Sequence, residues 1–533
     1  MAAMQERITC AEATVRLLER YGVSTVFGIP GVHTLDFCRG LDQGVRHIQA
    51  RNEQGAGFMA EGWARATGEP GVGLVISGPG VTNASTALGQ AYADSLPMLL
   101  ISADAASDSL GKGWGVLHEI TDQTEMTRPL TGFSATAWRA QDVPELLARA
   151  FTLFATQRPR PVHISIPIDV QAEHVDDDWL PVNLPGLPKA NPADIATAAG
   201  WLKDATSPLL MIGGGATAAG AQLTEIAERI GAIVVASTAG KGIIADDHPL
   251  SLSAATVRPE VLRILPEADV ILAVGTELSE TDSFVERMDL SGRIIRIDID
   301  PGKINDVYPA DLGIVADAGS TAQALLDALK DHRNDSVESA KERAALVRSQ
   351  IRQGLSVSEN QHVGVLAALA QVAPTDTIWS GDACQLVYTG AFAMPMHAPR
   401  KWFYPAGFCA LGNALPNAIG ARLARPDTPV AVLAGDGGFM FTMPELITAA
   451  ELGLPIPIII WENGGLKQIQ DDMDQRQIRR VGVEGLNPDF GALARACHAH
   501  AVDVDANDAL QDAFVAALSA DRPTVIVCHE VRD

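Results

Sequence analysis

Short apolar strands alternate with helical segments along most of this chain, and that alternation limits the folds open to it more than any other feature. The strand pattern GVGLVIS (71–77) is followed by a helical pattern (83–95) and then by the strand pattern LPMLLIS (96–102). This order is typical of a βαβ unit, whose two strands are parallel and buried on both faces. The pattern therefore predicts an α/β fold of doubly wound parallel sheets.

The chain length and two breaks in the pattern predict three such units. The 533 residues are enough for three domains of ordinary size. A proline-rich stretch at 179–192 predicts a linker, and the charged stretch 331–354 predicts a solvated connecting helix. The predicted domains are residues 1–180, residues 190–335 with a Rossmann-like core, and residues 360–533.

Charge and composition exclude several classes of function. The chain has 65 acidic and 40 basic residues, a net charge of −25, which repels nucleic acid. No segment approaches eighteen apolar residues, and the first residues carry Glu6, Arg7 and Glu12 where an export signal needs an apolar run. The six cysteines are widely spaced with no CxxC pair, which predicts reduced thiols. We therefore expect a cytoplasmic protein with neither a nucleic-acid nor a membrane partner.

The strongest chemical signal is the sequence Gly-Asp-Gly at 435–437, directly after an apolar strand. Asn463 follows 27 residues after Asp436, at the end of a second apolar strand. Carboxylate and amide oxygens at neighbouring strand ends suit Mg²⁺ with a diphosphate, and glycines let backbone N–H groups approach phosphate. Asp-Gly alone is also a common turn dipeptide, so the motif gains its weight from Asn463.

This Gly-Asp-Gly to Asn spacing is the fingerprint of enzymes that use thiamine diphosphate (ThDP). Among them, the chain resembles the acetolactate synthase, pyruvate decarboxylase and benzoylformate decarboxylase group. Further matching segments, spread over nearly the whole chain, are GIPG (28–31), RNEQGAGFMAEGWARATG (51–68), SGPGVTNA (77–84), RPRPVHISIPIDV (158–170), IDIDP (297–301) and LGNALPNAIGA (411–421). The resemblance implies a pyrimidine-binding, a central and a diphosphate-binding domain, in that order.

The resemblance also assigns residues to the cofactor. Glu53 would be the activating glutamate, because a carboxyl group on the aminopyrimidine N1′ promotes the imino tautomer that removes the C2 proton. Asp436, Asn463 and the carbonyl of Gly465 would hold Mg²⁺, and Leu411 would support the bent cofactor. An exposed or N-capping Glu53 and a core-packing Leu411 are the structural alternatives. The other positions assigned to cofactor binding are Pro30, Gly31, Ala383, Cys384, Gln385, Cys409, Gly435, Gly437, Gly438 and Leu466.

The predicted substrate pocket departs from the acetolactate synthases. Those enzymes usually have Phe-Gln where this chain has Leu117-His118, and a Lys where it has Ile168; both changes remove groups tied to carboligation. Histidine titrates near neutral pH, so His33 and His118 are the candidates for proton transfer. A surface or hydrogen-bonded structural histidine is the alternative for each.

Two segments, GIPGVHT and LHEITDQ, most resemble the 2-oxo acid decarboxylases that act on 5-guanidino-2-oxopentanoate. A guanidinium group favours carboxylates, and the stretch 468–477 offers Asp471, Asp472 and Asp474 just beyond the metal loop. A solvated acidic helix face is the alternative for these three residues. The glycine run 213–215 lacks the dinucleotide-binding register, so it leaves FAD binding open.

These observations predict ThDP- and Mg²⁺-dependent decarboxylation of a 2-oxo acid to an aldehyde and CO₂. Carboligation of the acetolactate synthase type and a catalytically silent ThDP-binding protein are the alternatives. Glu53 and Asp436 lie in different predicted domains, and in the resembled family the two facing domains come from different subunits. The resemblance therefore implies a homodimer, or a dimer of dimers, with shared active sites.

Overall fold

The computed structural model describes residues 7–505 and 507–530 and confirms three α/β units, each built on a parallel sheet. Glu6, on which the expectation about export partly depends, lies outside the described residues. Across the two described ranges, no helix is both long and apolar enough to cross a membrane. The predicted domain limits stay predictions.

The N-terminal unit forms a six-stranded parallel sheet and a separate antiparallel pair. Its strands are β1 (Arg7–Thr9), β2 (Thr25–Gly28), β3 (Arg46–Gln49), β4 (Gly71–Val75), β5 (Met98–Asp104), β6 (Phe133–Thr136), β7 (Val162–Pro167) and β8 (His174–Asp176). Its helices are α1 (Cys10–Arg20), α2 (Glu53–Thr67), α3 (Pro79–Ala93), α4 (Gln123–Thr127), α5 (Asp142–Thr156) and α6 (Ile168–Gln171). The sheet order is β3-β2-β4-β5-β7-β6, and β1 pairs with β8. The order reverses between β2 and β4, which makes a crevice at their carboxyl ends.

The central unit has a five-stranded parallel sheet. Its strands are β9 (Pro208–Ile212), β10 (Ile233–Ala236), β11 (Val270–Val274), β12 (Arg293–Asp298) and β13 (Leu312–Val315). Its helices are α7 (Pro192–Asp204), α8 (Gly220–Ile230), α9 (Pro259–Leu262), α10 (Ala318–Ala328) and α11 (Val337–Gln353). The sheet order is β10-β9-β11-β12-β13. Residues 179–190, inside the predicted linker, form neither helix nor strand.

Helix α11 is the charged segment that the sequence predicts to be a solvated connector. The helix is present, but full solvation is wrong. Ala344, Val347 and Ile351 are buried in one core cluster with Val261 and Ile264 of the central unit. Their spacing places them along one side of the helix, so few apolar residues are enough to dock it.

The C-terminal unit has a six-stranded parallel sheet. Its strands are β14 (Ile378–Gly381), β15 (Trp402–Phe403), β16 (Val430–Gly435), β17 (Pro457–Glu462), β18 (His500–Val504) and β19 (Thr524–His529). Its helices are α12 (Val357–Val372), α13 (Gln385–Ala393), α14 (Ala414–Ala424), α15 (Asp436–Thr442), α16 (Glu445–Glu451), α17 (Lys467–Gln475), α18 (Phe490–Ala496) and α19 (Asn507–Leu518). The sheet order is β15-β14-β16-β17-β19-β18, which reverses between β14 and β16.

Helices α2 and α14 join the N-terminal and C-terminal units. A Cβ on Gly62 would lie 2.1 Å from the backbone oxygen of Asn417, and a Cβ on Gly420 would lie 1.9 Å from that of Met59. Only glycine permits backbones to approach so closely. One apolar core therefore continues across the two units that carry the predicted cofactor residues.

Candidate active site

Two histidines meet at the crevice between β2 and β4. His33 follows β2 and Ser77 follows β4; His33 Nδ1 lies 2.9 Å from Ser77 Oγ. The rings of His33 and His118 lie edge to face with centroids 5.2 Å apart. Burial lowers the pKa of His33 below its ordinary value, and the facing His118 lowers this pKa further. The fold thus brings the two predicted proton-transfer residues together and favours neutral His33 at pH 7.

The backbone around His118 is held in an unusual conformation. His118 has a φ of +62°, and Gly78 has a φ of +56°. A Cβ on Gly78 would lie 2.4 Å from the carbonyl oxygen of His118. The Oε1 atom of buried Gln123 accepts a hydrogen bond from the Gly78 N–H at 3.2 Å. Strained backbone held by a buried hydrogen bond is typical of functional sites.

Glu53 is the first residue of α2, and its side chain is buried. Asn52, rather than Glu53, caps the helix, because the Asn52 side chain accepts the Gln54 N–H. Asn83 Nδ2 donates to Glu53 Oε2 at 2.9 Å. The exposed and N-capping alternatives for Glu53 are therefore wrong, and its carboxylate has a fixed hydrogen-bonding partner.

The predicted metal ligands come together at the carboxyl ends of β16 and β17. Asp436 is buried, and its Oδ2 accepts the N–H groups of Gly464 and Gly465 at 2.7 and 3.2 Å. Asn463 is buried beside these glycines. Gly465 has a φ of +132°, and a Cβ there would lie 2.3 Å from the Val483 carbonyl oxygen. One carboxylate, one amide and one backbone carbonyl give an all-oxygen set, which fits Mg²⁺.

The glycines around Asp436 fit a diphosphate that approaches the backbone. A Cβ on Gly435 would lie 3.0 Å from Cys384 Cβ, and a Cβ on Gly437 would lie 3.2 Å from Leu466. The end of β14 and the start of α13 thereby adjoin the end of β16, and a helix N-terminus favours anions. The third glycine, Gly438, would bring its Cβ to 2.9 Å from Asp382 Oδ2. Predicted cofactor positions on β14, β16 and the loop after β17 thus share one site.

The loop between β15 and α14 carries the remaining C-terminal positions. Cys409 is exposed with a φ of +53°, and Leu411 is half-buried.

The other predicted cofactor positions lie outside this loop. Burial raises the pKa of the Cys384 thiol, just before α13, to about 12, which keeps this cysteine protonated at neutral pH. In the N-terminal unit, Gly31 is half-buried and Pro30 is exposed in the loop that leads to His33. These roles in cofactor binding stay predictions.

The acidic residues proposed for a guanidinium group lie on α17. Asp471 pairs with Lys467 and also accepts from Gln385 Nε2 at 3.2 Å. Asp474 pairs with Arg480, and Asp472 accepts a hydrogen bond from Gln468. Cations of the chain therefore already occupy two of the three carboxylates.

The glycine run of the central unit has a packing explanation. The Gly215 N–H donates to the Gly275 carbonyl at 3.0 Å, and a Cβ on Gly213 would lie 2.3 Å from the same oxygen. The glycines therefore let the turns after β9 and β11 touch.

Sequence reasoning missed four residues that organise the site. Ser77 and Asn83 lie in the SGPGVTNA motif, so the motif could have marked them. Asn487 donates to Asp436 Oδ2 at 2.8 Å and to Glu462 at 2.9 Å, but it lies in a polar loop with no local signal. Buried Asp382 accepts the N–H groups of residues 383 and 412, and burial raises its pKa to about 7.

Comparison with known proteins gives the class of this chain. Residues 8–126, 195–325 and 382–528 match the models of the N-terminal TPP binding domain, the central domain and the C-terminal TPP binding domain of thiamine pyrophosphate enzymes. Thiamine pyrophosphate is another name for ThDP. The chain belongs to the thiamine pyrophosphate enzyme family.

Three relatives within this class are similar to the chain over most of its length. The chain is 49% identical to the probable 2-ketoarginine decarboxylase AruI of Pseudomonas aeruginosa, over 92% of this chain and 89% of the relative. It is 31% identical to the acetolactate synthase of Arthrospira platensis, over 99% of this chain and 95% of the relative. It is 32% identical to the large subunit of acetolactate synthase isozyme 3 of Escherichia coli, over 95% and 93%.

Proposed function

We propose that this protein is a ThDP- and Mg²⁺-dependent decarboxylase that converts 5-guanidino-2-oxopentanoate, also called 2-ketoarginine, into an aldehyde and CO₂. The observation that carries the substrate is the 49% identity to a probable 2-ketoarginine decarboxylase over 92% of this chain. The paired histidines support decarboxylation, because an aldehyde product needs a proton delivered near the reacting carbon. Acetolactate synthases are more distant relatives at 31–32% identity.

The residues of the chain divide the work between two domains. Asp436, Asn463 and the Gly465 carbonyl would hold Mg²⁺, and the glycines beside them would receive the diphosphate. ThDP, when bound, would supply the electron sink for the carboxylate electrons. Glu53 would hold a proton at the aminopyrimidine N1′, with Asn83 fixing the direction of its carboxylate. Leu411 would support the cofactor.

The histidine pair moves protons on the substrate side. His33 is favoured as the neutral form and hydrogen-bonds Ser77, so it must first accept a proton from solvent before it can deliver one to the product carbon. His118 completes the pair, because its ring centroid lies 5.2 Å from that of His33. We assign protonation of the product carbon to these two residues. Recognition of the guanidinium is assigned to the α17 carboxylates, foremost Asp472, because Asp471 and Asp474 are ion-paired.

The proposed active unit is a homodimer, or a dimer of dimers, in which two chains share each site. Large apolar side chains are exposed beside both halves of the site: Val32, Leu35, Trp114 and Leu117 near the histidines, and Met440, Phe441, Leu466 and Ile469 near the metal loop. Exposed apolar patches of this kind mark association surfaces, and a second copy would cover them. The six free cysteines support a reducing, cytoplasmic location.

A panel of 2-oxo acids tests the function. The purified protein with ThDP and Mg²⁺ is given pyruvate and branched, aromatic and guanidino 2-oxo acids, while CO₂ and the organic product are measured. We expect the highest kcat/KM for the guanidino acid, with the aldehyde as product. Acetolactate from pyruvate as the dominant product would assign the chain to carboligation. ThDP binding without turnover of any acid would indicate a silent binding protein.

A further inference from the structure

We infer that Asp94 and Gln90 of the N-terminal unit are positioning residues for the loop 407–411; the inference rests on the proposed function. Gln90 is fully buried near the end of α3, and Asp94 follows that helix with a side chain that is 7% exposed. The loop belongs to the C-terminal unit and contains Cys409 and Leu411, both predicted to contact the cofactor. One domain thereby fixes a cofactor loop of the other.

Two backbone N–H groups of the loop donate hydrogen bonds to these side chains. The Gly407 N–H donates to Asp94 Oδ1 at 2.8 Å, and the Ala410 N–H donates to Gln90 Oε1 at 3.1 Å. Gln90 Nε2 also donates to Asp94 Oδ2 at 2.7 Å. The two acceptors are therefore fixed relative to each other as well as to the loop.

An ion pair anchors Asp94 in turn. The Arg65 guanidinium contacts both Asp94 and Glu61, and all three side chains are at most 9% exposed. Hydrogen bonds to a charged acceptor are stronger than those to a neutral one. Arg65 lies near the end of α2, which packs on α14 of the C-terminal unit, so the anchor is part of the scaffold that joins the two units.

Close packing against α3 and an unfavourable backbone conformation both restrict the loop 407–411. A Cβ on Gly407 would lie 2.7 Å from Ala93 Cβ, and a Cβ on Gly89 would lie 2.8 Å from the Phe408 ring. Cys409 has a φ of +53°, which is unfavourable for a residue with a side chain. The surrounding contacts must hold such a conformation in place.

The far end of the loop is held separately. The Gly412 N–H donates to both carboxylate oxygens of Asp382 at 2.9 and 3.1 Å. Removal of the α3 acceptors therefore releases the Gly407 and Ala410 N–H groups, while the Cys409 N–H stays bonded to the Pro405 carbonyl and the C-terminal end stays attached to Asp382. Small displacements of binding groups weaken a preorganised site, so we expect weaker ThDP binding.

Hydrogen–deuterium exchange of the full-length protein tests the contact directly, without cofactor. The variants are Asp94→Ala, Gln90→Leu and the milder Asp94→Asn, which keeps an oxygen acceptor for Gly407. The control is Arg258→Ala, which breaks an ion pair between the central and C-terminal units, with Glu359. We expect exchange in the peptide 405–412 to accelerate about tenfold or more in the first two variants, less in Asp94→Asn, and not in the control.

Titration of ThDP with Mg²⁺, followed by tryptophan fluorescence, supplies the second measurement. We expect the Kd for ThDP to rise about tenfold or more in Asp94→Ala and Gln90→Leu. In the control, the same loss of Tm should come with a Kd that rises less than about twofold. Unchanged exchange in all three variants, or an equal acceleration in the control, overturns the inference. Faster exchange with an unchanged Kd also overturns it and leaves the proposed function standing. A wild-type protein that does not bind ThDP overturns the proposed function, whereas the exchange data still report on the loop contact.

Discussion

Asn83 donates a hydrogen bond from Nδ2 to Oε2 of Glu53 at 2.9 Å, across 30 residues of sequence. The contact joins the second turn of α3 to the first residue of α2. Ser77, six residues before Asn83, contacts His33, so one short segment supports both the carboxylate and the histidine pair. A side chain that fixes a proton-transfer group contributes to catalysis without touching substrate.

Replacement of Asn83 tests this support. We expect Asn83→Ala to lower kcat about tenfold with little change in Tm, because Glu53 loses one hydrogen bond that orients it. Steady-state kinetics and thermal melts at saturating ThDP give both values. Asn83→Asp is the matched variant: it places a second carboxylate beside Glu53 and should be less active than Asn83→Ala. Equal activity of the two variants would contradict the orienting role.

Replacement of Glu53 tests the activating carboxylate. We expect Glu53→Gln to fold and to bind ThDP but to lose about 10²- to 10⁴-fold in kcat, because an amide cannot exchange a proton at N1′. Kinetics and cofactor titration separate the two effects. Glu69→Gln, an exposed site just after the same helix, is the control. Full turnover by Glu53→Gln would remove the assignment.

Removal of the divalent ion tests the metal site. If Asp436 and Asn463 reach the diphosphate through Mg²⁺, as proposed, EDTA should release ThDP and abolish activity together. Equilibrium dialysis with labelled ThDP and a parallel assay follow both, and added Mg²⁺ should restore both. Tight ThDP binding in EDTA would show that the metal does not link these residues to the cofactor.

The histidine pair predicts a pH dependence with a definite sign. Burial and the facing His118 both lower the pKa of His33, so its neutral form persists to a pH below the ordinary 6.5. Delivery of a proton requires protonated His33, so the contribution of this residue to kcat should fall as the pH rises through its lowered pKa. In His118→Asn the effect of the facing imidazole is gone, so the pKa of His33 rises and the alkaline limb of kcat should move to higher pH. An alkaline limb that stays in place or moves downward would argue against His33.

Mixing of two inactive variants tests the shared site. If each site combines Glu53 of one chain with Asp436 of another, a hybrid of Glu53→Gln and Asp436→Ala chains holds one site with neither change. Activity should then return in part after subunit exchange. Exchange verified by mass spectrometry without recovered activity, or a fully active monomer by light scattering, would defeat the shared-site proposal.

The sequence alone was enough to predict the parallel sheets and the pairing of Asp436 with Asn463. Both rest on local order: alternating strands and helices specify the sheet class, and residues directly after neighbouring parallel strands meet at one edge. Glu53 was singled out because segment 51–68 resembles the part of the family that carries the activating glutamate; its role stays a prediction.

Only the tertiary structure decided which distant segments meet. Asp94 and Gly407 are 313 residues apart, and Asn487 reaches Asp436 across 51 residues, with no local pattern to mark either contact. Helix α11 shows the same limit, since its charged composition predicts solvation while three apolar residues dock it. The first contact follows from how two units pack, above all α2 on α14, whereas the other two follow from packing within the C-terminal unit and against the central unit; each is a sum over many non-local contacts. Strand periodicity and short motifs describe only local order and carry no information on these non-local contacts. The sequence therefore identified the chemical groups, whereas the packed fold determined what holds them in position.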